Sequence, residues 1–242
     1  MQVRAERPLG QGAKGNVYGG LSKGDSSVST CLGHSLPGPG RAARRLRARR
    51  FLRRFRKVFA GDERGDLLNL LPKGSVGAEI GVWRGDFSSR LLSVVRPARL
   101  HLVDPWKFET SSGYERSRYG GAVVKNQAEM DAIYETVLRR FAQEAETGVV
   151  LVHRGPSAQI GMRFDDAYFD WVYIDGNHLY EYVKRDLEVF ATKVKPGGLL
   201  TVDDYGVRGW WEHGVTRAVD EFVTGSACEP VRLRRQFVLR KV

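Results

Sequence analysis

From about residue 66 to the C-terminus, short apolar runs alternate with stretches of helical length, and this alternation restricts the fold more than any other feature. Runs such as Val76-Gly77-Ala78-Glu79-Ile80 and Phe169-Asp170-Trp171-Val172-Tyr173-Ile174 are too short for helices and suit strands buried on both faces. Strands separated by helices return through crossovers, which makes the sheet mainly parallel. The expectation is one α/β domain over residues 66–242, a length that buries an adequate core.

Charge divides the chain differently. The formal charge of +11 invites a nucleic-acid partner, but residues 1–57 hold 14 basic and 2 acidic residues, while 58–242 hold 25 basic and 26 acidic. The excess belongs to one end. Residues 1–40 include nine glycines and the run Pro37-Gly38-Pro39-Gly40, so a disordered Gly/Ser-rich tail is expected. Within it, the segment from Leu9 to Tyr18 matches the glycine-rich loop of protein kinases, but no His-Arg-Asp or Asp-Phe-Gly follows, and the match reads as coincidence.

Residues 41–65 are expected to form a basic amphipathic helix and linker, since 41–57 carry nine arginines and no acid, with Phe51, Leu52, Phe55, Val58 and Phe59 on one face. Three roles stay open: docking on its own domain or a second subunit, peripheral contact of 41–59 with an anionic membrane, or nucleic-acid binding. Arg49-Arg50 lacks the uncharged stretch of a twin-arginine export signal. No apolar run approaches the roughly 20 residues of a membrane span. The cysteines, Cys31 and Cys228, show no Cys-x-x-Cys spacing, so a cytoplasmic location is expected.

The first strand runs into Gly81-Val82-Trp83-Arg84-Gly85-Asp86, a tight loop before a helix from Phe87 to Val95, with Asp86 or Ser88 as its cap. The second strand, Arg99 to Val103, ends at Asp104, 23 residues after Gly81. A glycine turn admits a ligand to the backbone, and an acid at the next strand end can accept both hydroxyls of a ribose, so the pair points to a nucleoside cofactor. The spacing Glu79-x-Gly81-x-x-x-Gly85 lacks the Gly-x-Gly-x-x-Gly that seats a pyrophosphate. It resembles motif I of class I S-adenosylmethionine-dependent methyltransferases.

A third strand over Gly148 to Val152 leads to Arg154-Gly155-Pro156-Ser157, and the fourth ends in Asp175-Gly176-Asn177-His178. A helix from Tyr180 to Thr192 and a break at Pro196-Gly197-Gly198 precede the strand Leu199 to Val202, which stops at Asp203-Asp204-Tyr205. Parallel strand ends share one edge, so Asp175, Asp203 and Asp204 converge there and repel unless a cation lies between them. Oxygen ligands favour Mg²⁺, with Ca²⁺ or Mn²⁺ as alternatives; the other reading is that some of these acids cap helices. His178 reads either as a base beside that cation or as a capping histidine, and Trp210-Trp211 beside His213 as a stacking surface or local packing. Asp86 and Asp170 read as cap or turn residues, and 107–126, rich in Gly, Ser, Tyr and Arg, as a lid.

Taken together, Val76 to Trp106, Tyr173 to His178, and Lys195-Pro196-Gly197-Gly198 through Asp203-Asp204-Tyr205 to Phe222 resemble the metal-dependent sugar O-methyltransferases of the macrocin type. The resemblance implies a Rossmann-like class I methyltransferase fold, a seven-stranded sheet between helices with its last strands near Val231 to Lys241. It implies S-adenosylmethionine held by Glu79, Gly81 and Gly85 at the methionine end, Asp104 at the ribose and Ser157 at the adenine. It assigns Asp175, Asp203 and Asp204 to Mg²⁺ and His178 to general base. The implied acceptor is a sugar hydroxyl of a small glycoside or an oligosaccharide, and a homo-oligomer is expected. Catechol-type methyltransferases share the 28-residue interval from Asp175 to Asp203 but place Asn at Asp204 and Lys at His178. Amino-directed nucleic-acid methyltransferases carry Asn/Asp-Pro-Pro-aromatic where this chain has Asp175-Gly176-Asn177-His178, so a nucleic-acid acceptor is disfavoured.

Overall fold

The computed structural model describes residues 63–232 and 235–242; the tail over 1–40 and all but the end of the basic segment over 41–65 lie outside the described residues. Helix α1 (Glu63–Leu70) precedes β1 (Val76–Ile80). Then come α2 (Asp86–Arg90), which runs into a π-helical turn at Leu91–Val95, and β2 (Arg99–Asp104). After the connection at 105–126 follow α3 (Gln127–Arg140), α4 (Ala142–Glu146), β3 (Val150–Arg154), α5 (Ser157–Gly161) and β4 (Phe169–Ile174). The chain closes with α6 (Tyr180–Lys193), β5 (Val194–Val202), α7 (Gly214–Gly225), β6 (Cys228–Arg232) and β7 (Phe237–Lys241).

The seven strands lie in the order β3-β2-β1-β4-β5-β7-β6. The first five pair in parallel, and β7 runs antiparallel between β5 and β6. Between β1 and β4 the direction of winding reverses. The helices that follow these two strands pack on opposite faces of the sheet, and an open parallel sheet places its ligand in the crevice between the diverging connections.

Alternation along the strands supplies both faces. Trp171 and Tyr173 of β4 join a cluster with Leu67, Leu68, Leu91, Leu102 and Val137, whereas Val172 and Ile174 join one with Val183, Leu187, Phe190 and Val215. Each fully buried large apolar side chain contributes about 1.5–3 kcal/mol relative to exposure, so α6 is held chiefly by Val183, Leu187 and Phe190. The ring of Trp171 lies over Gly77, where a Cβ would stand 2.1 Å from it. Asp170 is a clip at the strand entrance, accepting from Val76 N and Lys195 Nζ, both at 2.7 Å.

Several boundaries differ from the sequence expectation for local reasons. The third strand begins at Val150 because Gly148, with φ +75°, closes the turn after α4. The fifth begins at Val194 and runs through Pro196-Gly197-Gly198, absorbing it as an irregularity opposite Phe169 and Trp171. The helix after the glycine loop is capped by Gly85 at φ 79°. Asp86 pairs instead with Arg140 at 2.7 Å, and Ser88 turns inward to Glu79. Residues 107–126 contain a 3-10 turn at Ser112–Tyr114 and a π turn at Arg118–Ala122, with Tyr114, Ser117 and Val124 buried. No helix among the described residues is long and apolar enough to cross a membrane.

Candidate active site

The crevice begins where β1 gives way to the glycine loop. Gly81 N donates to Val103 O at 2.8 Å, and Asp175 N donates to Ile80 O at 2.7 Å, so the loop is tied to both neighbouring strands. Gly81 has φ 93°, and a Cβ there would stand 2.2 Å from the Asp175 carbonyl oxygen. Only glycine combines that backbone with that approach. At Gly85 (φ 79°) a Cβ would meet the Phe141 ring at 2.6 Å.

Asp104 fastens the loop from the end of β2. Its Oδ2 accepts from Val82 N at 2.9 Å, Trp83 N at 3.0 Å and the Tyr119 hydroxyl at 2.5 Å, while Oδ1 accepts from Trp106 N at 2.7 Å. Burial raises its pKa against those hydrogen bonds. Three backbone amides thus engage Asp104 as a brace for the loop, and in this arrangement the Tyr119 hydroxyl shares the carboxylate expected at the ribose. Glu79, 1% exposed, accepts from Ser88 Oγ at 2.5 Å, and burial pushes its pKa up to about 8. Ser157 opens α5, but its hydroxyl turns away from the crevice and donates to Asp186 Oδ1 at 2.5 Å.

On the other side of the switch point, the ends of β4 and β5 bring Asp175, Asp203, Asp204 and His178 together. His178 Nε2 is 3.5 Å from Asp175 Oδ1 and 3.5 Å from Asp204 Oδ2, too long for a strong hydrogen bond to either. Its ring lies 4.5 Å from that of Trp211, and Gly214, where a Cβ would meet His178 O at 2.4 Å, lets α7 start against it. Burial disfavours the imidazolium, but Asp175, Asp204 and Asp203 outweigh it and raise the pKa. Asn177 Oδ1 accepts from Leu179 N at 3.0 Å and Nδ2 donates to the Tyr114 hydroxyl at 2.7 Å, joining this edge to the 107–126 segment. Tyr114 in turn packs on Trp210, with ring centres 5.3 Å apart.

The cation between the carboxylates is an arginine. Arg64 of α1 donates from Nη2 to Asp175 Oδ2 at 2.8 Å and also to Asp203 Oδ2. Asp203 Oδ1 accepts from Gln236 Nε2 and from Asp204 N, and Asp204 Oδ1 pairs with Arg235 at 3.0 Å. Burial would lower the Arg64 pKa, yet Tyr173, Asp175 and Asp203 hold the guanidinium more firmly charged than usual. Among the described residues, no group of three or more His, Cys, Asp or Glu is arranged to hold a metal ion. In this arrangement Asp175 and Asp203 form a pair closed by Arg64, and Asp204 turns toward Arg235 and His178. The donor chemistry still fits a hard cation: two carboxylate oxygens reach one atom, Arg64 Nη2, and the buried Gln236 Oε1 beside them has no hydrogen-bond partner. Sequence reasoning missed Arg64, Gln236 and Tyr119.

Residues 78–205 match the methyltransferase domain family. The chain belongs to that family. Its reaction class is S-adenosylmethionine-dependent methyl transfer, and the switch-point crevice lies within the matched residues. Solved structures with the same fold include a Staphylococcus aureus protein assigned as a caffeoyl-CoA O-methyltransferase, at 13% identity and TM-score 0.52, covering 81% of this chain and 90% of that one. A Clostridium thermocellum protein assigned as an rRNA methylase has 12% identity and TM-score 0.54, covering 76% and 98%. A Streptococcus mutans protein assigned as a methyltransferase, in complex with SAH, has 10% identity and TM-score 0.50, covering 76% and 100%. No curated protein matches the chain.

Proposed function

We propose that this methyltransferase transfers its methyl group to a hydroxyl oxygen, that of a sugar in a glycoside or oligosaccharide, and that the transfer depends on Mg²⁺. The observation that carries this reading is the edge where His178, walled by Trp211, stands between Asp175 and Asp204 beside Asp203. An imidazole there can take the proton of an acceptor hydroxyl at Nε2, the atom without a close partner. Trp210, Trp211 and Tyr114 offer aromatic faces on which a sugar ring can stack.

In this reading Glu79, Gly81 and Gly85 hold the methionine end of the donor, Asp104 the ribose, and the turn at Ser157 the adenine. Asp175, Asp203 and Asp204 would hold the divalent ion, which when bound lowers the pKa of the acceptor hydroxyl. His178 accepts the hydroxyl proton, the oxygen forms its bond to the methyl carbon, and the carbon–sulfur bond of the sulfonium breaks to leave S-adenosylhomocysteine. The protein's main contribution is to align the two reactants and exclude water.

Calorimetry with S-adenosylmethionine, then methyl transfer to a panel of glycosides with and without EDTA, tests the reading. His178→Ala is expected to lower turnover by about 10²–10⁴-fold, and Asp203→Ala or chelation to abolish it. Activity that survives both chelation and Asp203→Ala removes the metal from the mechanism. The 28-residue interval from Asp175 to Asp203, shared with catechol-type methyltransferases, supports a second reading, a catechol-like acceptor, so catechols belong in the panel. Methylation of catechols but not glycosides would decide for it.

A further inference from the structure

Arg64 lies outside every motif of the sequence, yet its guanidinium stands at the centre of the acidic edge. We propose that Arg64 is a displaceable internal counterion, occupying the cation position of the Asp175–Asp203 pair and setting how tightly a divalent ion binds there. The inference rests on the metal reading above and goes beyond it, because it assigns the competitor for the site.

Three observations carry it. The Asp203 side chain is 4% exposed and that of Asp175 is 21% exposed, so two carboxylates this close need a positive charge in place whenever no ion is bound. Arg64 supplies it through a single nitrogen that reaches both acids, the bridging position a small cation would take. Its own side chain is 39% exposed, so the guanidinium borders water and has a path out of the site. Helix α1 is anchored separately by Leu67 and Leu68, which sit in the core, and the Arg64 guanidinium lies over the Phe87 ring, 5.2 Å from its centre. A divalent ion entering this edge therefore competes with Arg64 for the same oxygens. The carboxylates in turn stay ordered before it arrives.

The test is binding of Mn²⁺ to the full chain, followed by loss of the free-ion electron paramagnetic resonance signal. Arg64→Gln is expected to bind Mn²⁺ about 10–100-fold more tightly than wild type, the range for loss of a charge-assisted hydrogen-bonded competitor. Without the ion the variant melts lower than wild type, and Mn²⁺ raises its melting temperature more. Unchanged or weaker Mn²⁺ affinity in Arg64→Gln, with binding still abolished by Asp203→Asn, overturns the inference and leaves the metal reading standing. Absence of Mn²⁺ binding in both wild type and Arg64→Gln overturns the metal reading itself. If Arg64→Gln fails to fold by circular dichroism, Arg64→Lys takes its place. It keeps the charge but loses the guanidinium's reach, and an affinity equal to wild type then counts against the proposal.

Discussion

Asp186 shows how a single side chain can govern stability away from the chemistry. It sits on the inner face of α6, 3% exposed, with the Ser157 hydroxyl donating to it. Burial raises its pKa from 3.8 to about 7. The folded state therefore holds a proton that the unfolded chain has released. Its stabilising contribution is complete below about pH 4 and is lost as pH rises to about 7. Asp186→Asn keeps an acceptor for Ser157 and removes the ionisation. In denaturant titrations the variant should gain on wild type between about pH 4 and 7, the difference levelling off at the order of 4 kcal/mol above that window. A difference independent of pH would show that Asp186 stays ionised in the fold. Nothing in the sequence marked this residue. An acid in an amphipathic helix reads as solvated until the turn carrying Ser157 is known to pack on it.

At the scale of elements, the connection at 107–126 has the clearest consequence for ligand binding. Its Tyr119 hydroxyl shares Asp104 Oδ2 with two backbone amides, which leaves no room on that oxygen for a ribose hydroxyl unless Tyr119 gives way. Tyr119→Phe removes the competitor while keeping the ring packed on Trp83, 5.0 Å between centres. Calorimetry should then show S-adenosylmethionine binding roughly 3–10-fold more tightly, a fraction of one charge-assisted hydrogen bond. Weaker binding would mean that Tyr119 itself contacts the cofactor. The strands flanking this element were legible because β1, β2 and β4 are apolar runs ended by an acid or glycine, and the switch point follows from their order. The connection was legible only as long and polar. Its contact with Asp104 depends on how Arg118–Ala122 turns, which composition does not encode. The partners of the acidic edge were hidden for a similar reason. Asp175, Asp203 and Asp204 announce themselves at strand ends, but Arg64 reaches them across 111 and 139 residues of sequence, and no local pattern joins those positions.

At the scale of the whole molecule, charge and fold occupy different parts of the chain. Residues 1–57 carry a net +12, and residues 58–242, which include every described element and Arg64, carry −1. The sequence pI of about 9.9 is thus a property of a segment that the matched methyltransferase residues, 78–205, do not include. A polybasic segment is drawn to an anionic surface by about 1 kcal/mol per charge near it, and salt screens that attraction within a Debye length of roughly 8–10 Å. Deleting residues 1–57 should therefore separate two properties. The shortened chain is expected to bind S-adenosylmethionine as the full chain does, because the glycine loop, Asp104 and the acidic edge all remain. The full chain should sediment with phosphatidylserine-containing vesicles at low salt and be released at high salt, while the shortened chain stays in the supernatant. Vesicle binding that persists after the deletion would place the contact on the catalytic body. Loss of cofactor binding would make the first 57 residues part of the catalytic unit, with Arg64 reaching the carboxylates only when the segment ahead of it is present.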